Sequence, residues 1–142
     1  MIKADKLRLC DTLLAVSAVA ILLSGIQLEV TGGRTALWVW LHAGIGTLFF
    51  ANIAWHLYLH FGWNSWVQRL RKQKSRVTHG LAILALLAFI STFVALFHYV
   101  GTRLHSVPGA VHGKIGFLFL LIAIGHTVKR IKFFKRKTST RG

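Results

Sequence analysis

Acidic residues, cysteine and proline are scarce in this sequence, and each scarcity excludes something. Among 142 residues there are three Asp and Glu together, one Cys and one Pro. The single cysteine, Cys10, rules out a disulfide framework and any cysteine-based zinc or iron–sulfur site. No acid lies deeper in an apolar run than Asp11, which disfavours a cation path lined by carboxylates. The only proline, Pro108, falls in a short loop at 101–109 and leaves the long apolar stretches uninterrupted. There is no glycine-rich nucleotide-binding fingerprint and no sizeable soluble stretch, so the chain has no place for its own nucleotide- or flavin-dependent dehydrogenase.

Hydrophobic and basic residues fill the space. The hydrophobic share is 54%, above the roughly 45–50% of soluble domains, and the excess lies in long runs. Lys and Arg number 18, for a net charge of +15. A nucleic-acid binder carries such charge on one folded face or groove. Here it sits beside apolar spans, so a lipid bilayer is the expected partner and nucleic acid is not.

The expected fold is all-α: a four-transmembrane-helix bundle with spans at about 7–28, 36–61, 77–100 and 110–128, each near the ~20 residues that cross a bilayer. Residues 1–142 read as one integral-membrane domain, with 129–142 a basic tail that is frayed, solvated or lipid-bound. A signal peptide competes for the first span, but Ile-Gln-Leu-Glu-Val after Gly25 offers no small-x-small cleavage site. Thr12, Ser17 and Ser24 interrupt that span mildly. Trp38, Trp40, Trp63 and Trp66 lie near the ends of the second, where amphipathic rings favour the interface. The segment before the first span, the connector 66–76 and the tail hold fifteen of the 18 Lys and Arg, against Arg34, Arg103 and Lys114 elsewhere. The positive-inside rule then places both termini in the cytoplasm.

One stretch occurs twice. Residues 41–56 read LHAGIGTLFFANIAWH and residues 111–126 read VHGKIGFLFLLIAIGH. His42 and His56 are 14 apart, as are His112 and His126. That spacing is two heptads and about 21 Å of helix rise, enough to pass from one leaflet to the other in constant register toward a partner helix. Spans two and four cross in the same direction. His42 is then level with His112 near the outer surface, and His56 with His126 near the cytoplasm. Facing imidazoles at one height suit a six-coordinate haem iron, a closed site that favours electron transfer. With no C-x-x-C-H in the sequence, both haems are b-type.

The surroundings are assigned in the same way. Gly46 and Gly116, with Gly44 and Gly113, clear space one turn from the outer histidines, although small residues also serve helix packing. Phe49, Phe50, Phe117 and Phe119 lie between the two levels. Arg34, Arg103 and Lys114 are the outer propionate partners, with snorkelling as the plainer role for Lys114. Arg76, Lys129 and Arg130 are the inner ones. His98 and His79 sit near opposite ends of span three, out of heptad register, suited to a propionate, a quinone pocket or proton transfer. His98 is also the substitute outer ligand. His60 follows His56 in an H-x-x-x-H spacing, but no carboxylate or thiolate is near it in sequence to complete a zinc site. His105 reads as a solvated loop residue or part of a docking surface.

The four histidines resemble the di-haem four-helix core of membrane b-type cytochromes, found also in respiratory cytochrome b and the transmembrane ferric reductases. The H-x-G pattern from His42 to His56, with Leu59-His60-Phe61-Gly62-Trp63-Asn64 trailing, resembles the flavinylation-associated cytochrome family of bacteria. The likeness covers spans two to four. Lys114 stands where the first copy has Gly44, so the copies differ around the outer haem. The resemblance implies two haem b groups, location in the bacterial cytoplasmic membrane, and electron passage between a quinone or cytoplasmic-side donor and an extracytoplasmic flavoprotein or cytochrome. A second copy of the chain is an admissible partner. The competing classes are a non-haem metal or proton transporter, and a membrane anchor subunit of a redox complex.

Overall fold

The computed structural model describes residues 3–31, 36–62, 68, 72, 75–102 and 107–139. Four long helices account for nearly all of them: α1 (Lys3–Thr31), α2 (Ala36–Phe61), α3 (Arg76–Thr102) and α4 (Val107–Ser139). Each contains a stretch long and apolar enough to cross a membrane, namely Asp5–Thr31, Ala36–Phe61, Arg76–Thr102 and Val107–Val128.

These helices are apolar on all sides rather than along one stripe. A helix of that kind needs apolar surroundings on every face. The bundle supplies them on one side only. Val16, Val19, Leu23, Ile90, Phe97 and Ile124 are among the large side chains left exposed, while the buried core cluster is Phe49, Phe119 and Leu120. Lipid is the environment that suits such a surface. The polar residues within the spans bond back onto their own helices. Thr12 donates to the Arg8 carbonyl, Ser17 to that of Leu13 and Thr92 to that of Ala88, at 2.8–2.9 Å. These bonds are why mild interruptions do not break a membrane helix.

Helix ends follow local chemistry. Gly62 takes a left-handed φ of 70° and its N–H bonds the Tyr58 carbonyl at 2.8 Å, closing α2. The Ser75 hydroxyl accepts the Thr78 N–H at 3.4 Å and starts α3 as an N-cap. Two expectations change here. Pro108 is not in a loop: it lies in the first turn of α4, where its missing N–H has no helical partner to lose. The basic tail is not frayed from Lys129 onward, because α4 continues through it to Ser139.

Packing divides the chain into two antiparallel hairpins, α1 with α2 and α3 with α4, joined by a sparser contact of α1 with α4. Side chains fix the first hairpin's register. Asn52 of α2 donates to the Ser17 hydroxyl at 3.3 Å, and the Cys10 thiol approaches the Asn52 carbonyl at 3.8 Å. Between hairpins, α2 and α4 meet in parallel. His42 faces His112, and seven residues further along each helix Phe49 faces Phe119.

Candidate functional site

The seam between α2 and α4 carries the site. One offset of 70 residues relates His42 to His112, Phe49 to Phe119 and His56 to His126. At the first level the imidazole centroids are 6.2 Å apart with planes at 80°. Two imidazoles bonded through nitrogen on opposite sides of one metal would have centroids about 6.3 Å apart, for metal–N bonds near 2.0 Å. At the second level the phenyl centroids are 6.0 Å apart and both rings are buried. His56 and His126, the next pair at that offset in the sequence, are each half-buried.

His42 and His112 each meet a serine from the other helix of their own hairpin. Ser24 Oγ of α1 lies 2.8 Å from His42 Nδ1, and Ser91 Oγ of α3 lies 3.0 Å from His112 Nδ1. A hydroxyl has one proton to give. Ser24 spends it on the Ile21 carbonyl and Ser91 on that of Ala88, both at 3.0 Å. With the hydroxyl protons on those carbonyls the two oxygens accept toward the rings, and in that tautomer each histidine donates from Nδ1. A neutral imidazole with hydrogen on Nδ1 keeps its lone pair on Nε2. In that tautomer both rings present an unprotonated Nε2 and an oriented Nδ1 hydrogen bond, an arrangement compatible with binding a metal. Gly25 lies beside the ring: a Cβ there would make an ordinary contact, 3.5 Å from His42 Cε1.

Further along α2, His56 Nδ1 lies 2.9 Å from Asp11 Oδ1 of α1. A carboxylate only accepts, so His56 also donates from Nδ1 and keeps Nε2 as its basic atom. The His60 ring sits 4.5 Å from that of His56. Among the described residues, Asp11, His56 and His60 form the only group of three whose ligand atoms all lie within 4.8 Å of one another. The absence of a carboxylate near His60 is thus corrected. Asp11 is remote in sequence, but the α1–α2 hairpin folds it against the His56 end of α2.

Other candidates take plainer places. Gly46 packs against α1, where a Cβ would meet Ile21 at 3.5 Å, whereas Gly116 faces open space. Phe50 meets Phe89 edge-to-face at 5.2 Å, while Phe117 turns outward at 55% exposed and does not fill the seam. Lys114 and Arg76 are exposed. His98 is exposed and lies 3.3 Å from the Thr102 hydroxyl on its own helix, so it is no substitute for His42 or His112. His79 Nδ1 bonds the Ser75 carbonyl at 3.1 Å, a helix-start contact. Arg34, Arg103 and His105 lie outside the described residues, as do the side chains of Lys129 and Arg130.

Three functional contacts escaped sequence reasoning: Ser24, Ser91 and Asp11. The two serines are 67 residues apart, three short of the offset of the histidines beside them. No protein-family model matches this chain, and no curated protein or solved structure matches it either.

Proposed function

We propose that this protein transfers electrons across a membrane through two bis-histidine b-type haems, one held by His42 and His112 and one by His56 and His126. The observation that carries the reading is the His42–His112 ring pair with each Nδ1 within hydrogen-bond distance of a serine hydroxyl. That donor set fits a metal with two axial nitrogen ligands, and the continuing offset of 70 residues supports the second pair. Bound haem would supply one-electron redox chemistry at a closed, six-coordinate iron. The chain's own work is to orient four imidazoles, keep their Nε2 atoms basic, and separate the two levels with Phe49 and Phe119.

The bacterial cytoplasmic membrane with both termini inside is the proposed setting, supported by the side on which fifteen of the 18 Lys and Arg fall. A quinone or a cytoplasmic-side donor and an extracytoplasmic flavoprotein or cytochrome are the proposed partners, resting on the resemblance. The test is the reduced-minus-oxidised spectrum of purified protein with haem quantitation. About two haems per chain are expected, and a colourless preparation from haem-replete cells overturns the reading.

The Asp11–His56–His60 group favours a second reading, a non-haem divalent-cation site at one end of the hairpin. Stoichiometric zinc or another divalent metal in haem-free protein, lost in Asp11→Ala, would replace the first reading with this one.

A further inference from the structure

The two histidine levels differ in the charge of what holds the rings. At the level of His42 and His112 both Nδ1 atoms lie against neutral hydroxyls, those of Ser24 and Ser91. At the inner level His56 donates to the carboxylate of Asp11. The source of the difference is confined to one helix. All three acids of the chain, Asp5, Asp11 and Glu29, belong to α1, so the side chains of α2, α3 and α4 have no carboxylate to offer any histidine. Helix α1 meets both histidines of α2: Ser24 at one end, and Asp11, 13 residues earlier, at the other. The position 13 residues before Ser91 in α3 is Thr78, which has no charge.

Building on the reading of His56 as a haem ligand, we propose that Asp11 is a positioning residue that holds the His56 ring by its Nδ1 hydrogen and lowers the reduction potential of the inner haem. Two physical effects act in the same direction. A carboxylate draws the Nδ1 hydrogen more strongly than a hydroxyl does, which makes Nε2 a stronger donor and favours the more highly charged iron. The negative charge itself also stabilises that iron by simple attraction. The outer level has neither effect. One haem is therefore tuned by charge and the other by neutral hydrogen bonds, and the two halves of the duplicated seam are electronically unequal.

The experiment is a potentiometric titration of the full-length protein, followed by its visible spectrum, for the unmodified chain and for Asp11→Asn, Asp11→Glu and Ser24→Ala. His56→Ala identifies which transition belongs to the inner haem. Asp11→Asn keeps an oxygen acceptor and removes the charge. It is expected to raise the inner potential by about tenfold in the reduced-to-oxidised ratio at fixed ambient potential, or ~59 mV for a one-electron couple, and to leave the outer potential in place. Asp11→Glu restores the low value. Ser24→Ala moves only the outer transition. Two haems retained with an inner potential that stays or falls in Asp11→Asn overturns the proposal while leaving the two-haem reading intact. A protein without haem instead ends the two-haem reading itself. Loss of the inner haem in Asp11→Asn with retention in Asp11→Glu supports the positioning role, and its loss in both overturns it.

Discussion

Phe49 and Phe119 meet midway along the seam, each seven residues from both histidines of its own helix, with ring centroids 6.0 Å apart. Seven residues are about 10 Å of helix rise, so the phenyl pair is the apolar spacer between the two histidine levels. It is also the centre of the small buried core, with Leu14, Ala18, Ile21 and Ile53 packed around it.

Phe49→Ala opens a gap in this core. Soluble cores lose about 3–5 kcal/mol for such a change. In lipid the transfer term largely drops out and the packing term stays, so the lower end, ~3 kcal/mol, is expected. Phe117→Ala changes a ring that is 55% exposed and is expected to be near neutral. Thermal unfolding of both variants in detergent checks the contrast, and equal losses contradict the assignment of Phe49 to the seam.

Ser24→Ala and Ser91→Ala each take the acceptor from one outer histidine. A lost hydrogen bond of this kind costs about 1 kcal/mol, and the partner of a metal-bound histidine is typically worth about 10–100-fold in affinity. Each variant is expected to release the outer haem more readily, by about tenfold or more, with the inner one retained. Haem transfer to apomyoglobin, followed optically, measures this. Equal release from both levels would mean that the serines support the fold rather than the ligands.

Replacing single histidines separates the levels. His42→Ala and His112→Ala are expected to remove the same haem, while His56→Ala and His126→Ala remove the other. His98→Ala is expected to leave both, since that side chain is exposed and lies beside Thr102 on its own helix. Pyridine haemochrome analysis is expected to give one haem per chain for each of the first four variants and two for His98→Ala. Retention of two haems in His112→Ala would be incompatible with the pairing.

Gly62→Ala places a side chain at φ 70°. The left-handed conformation costs an L-residue roughly 1 kcal/mol or more. A lower melting temperature is expected with the haem count unchanged, because Gly62 closes α2 and touches no ligand. A melting temperature equal to that of the unmodified chain would mean that α2 ends elsewhere.

Much of this architecture is legible in the amino-acid sequence, because the solvent is so selective. In a bilayer every backbone polar group has to be satisfied within the segment, so length and apolar content alone mark α1 to α4 as helices. The duplicated spacing of His42–His56 and His112–His126 is equally plain, since two heptads preserve a helix face whatever lies between. Element ends are harder. Pro108 and the residues after Lys129 read as helix breaker and charged tail, yet the first turn tolerates Pro and charge does not stop a backbone from coiling.

What tertiary structure alone decided is which polar groups hold the rings. Ser24 and Ser91 look like ordinary interruptions that a helix satisfies from its own carbonyls, and each does bond one. Only the antiparallel register of each hairpin brings the same oxygens within 2.8 and 3.0 Å of His42 and His112 Nδ1. Asp11 and His56 are 45 residues apart, and nothing local to either announces the other. Spacing along one helix is set by the covalent chain and its 3.6-residue turn, so sequence determines it. Contact between helices depends on how two surfaces slide and rotate against each other, and that is settled only when the side chains pack.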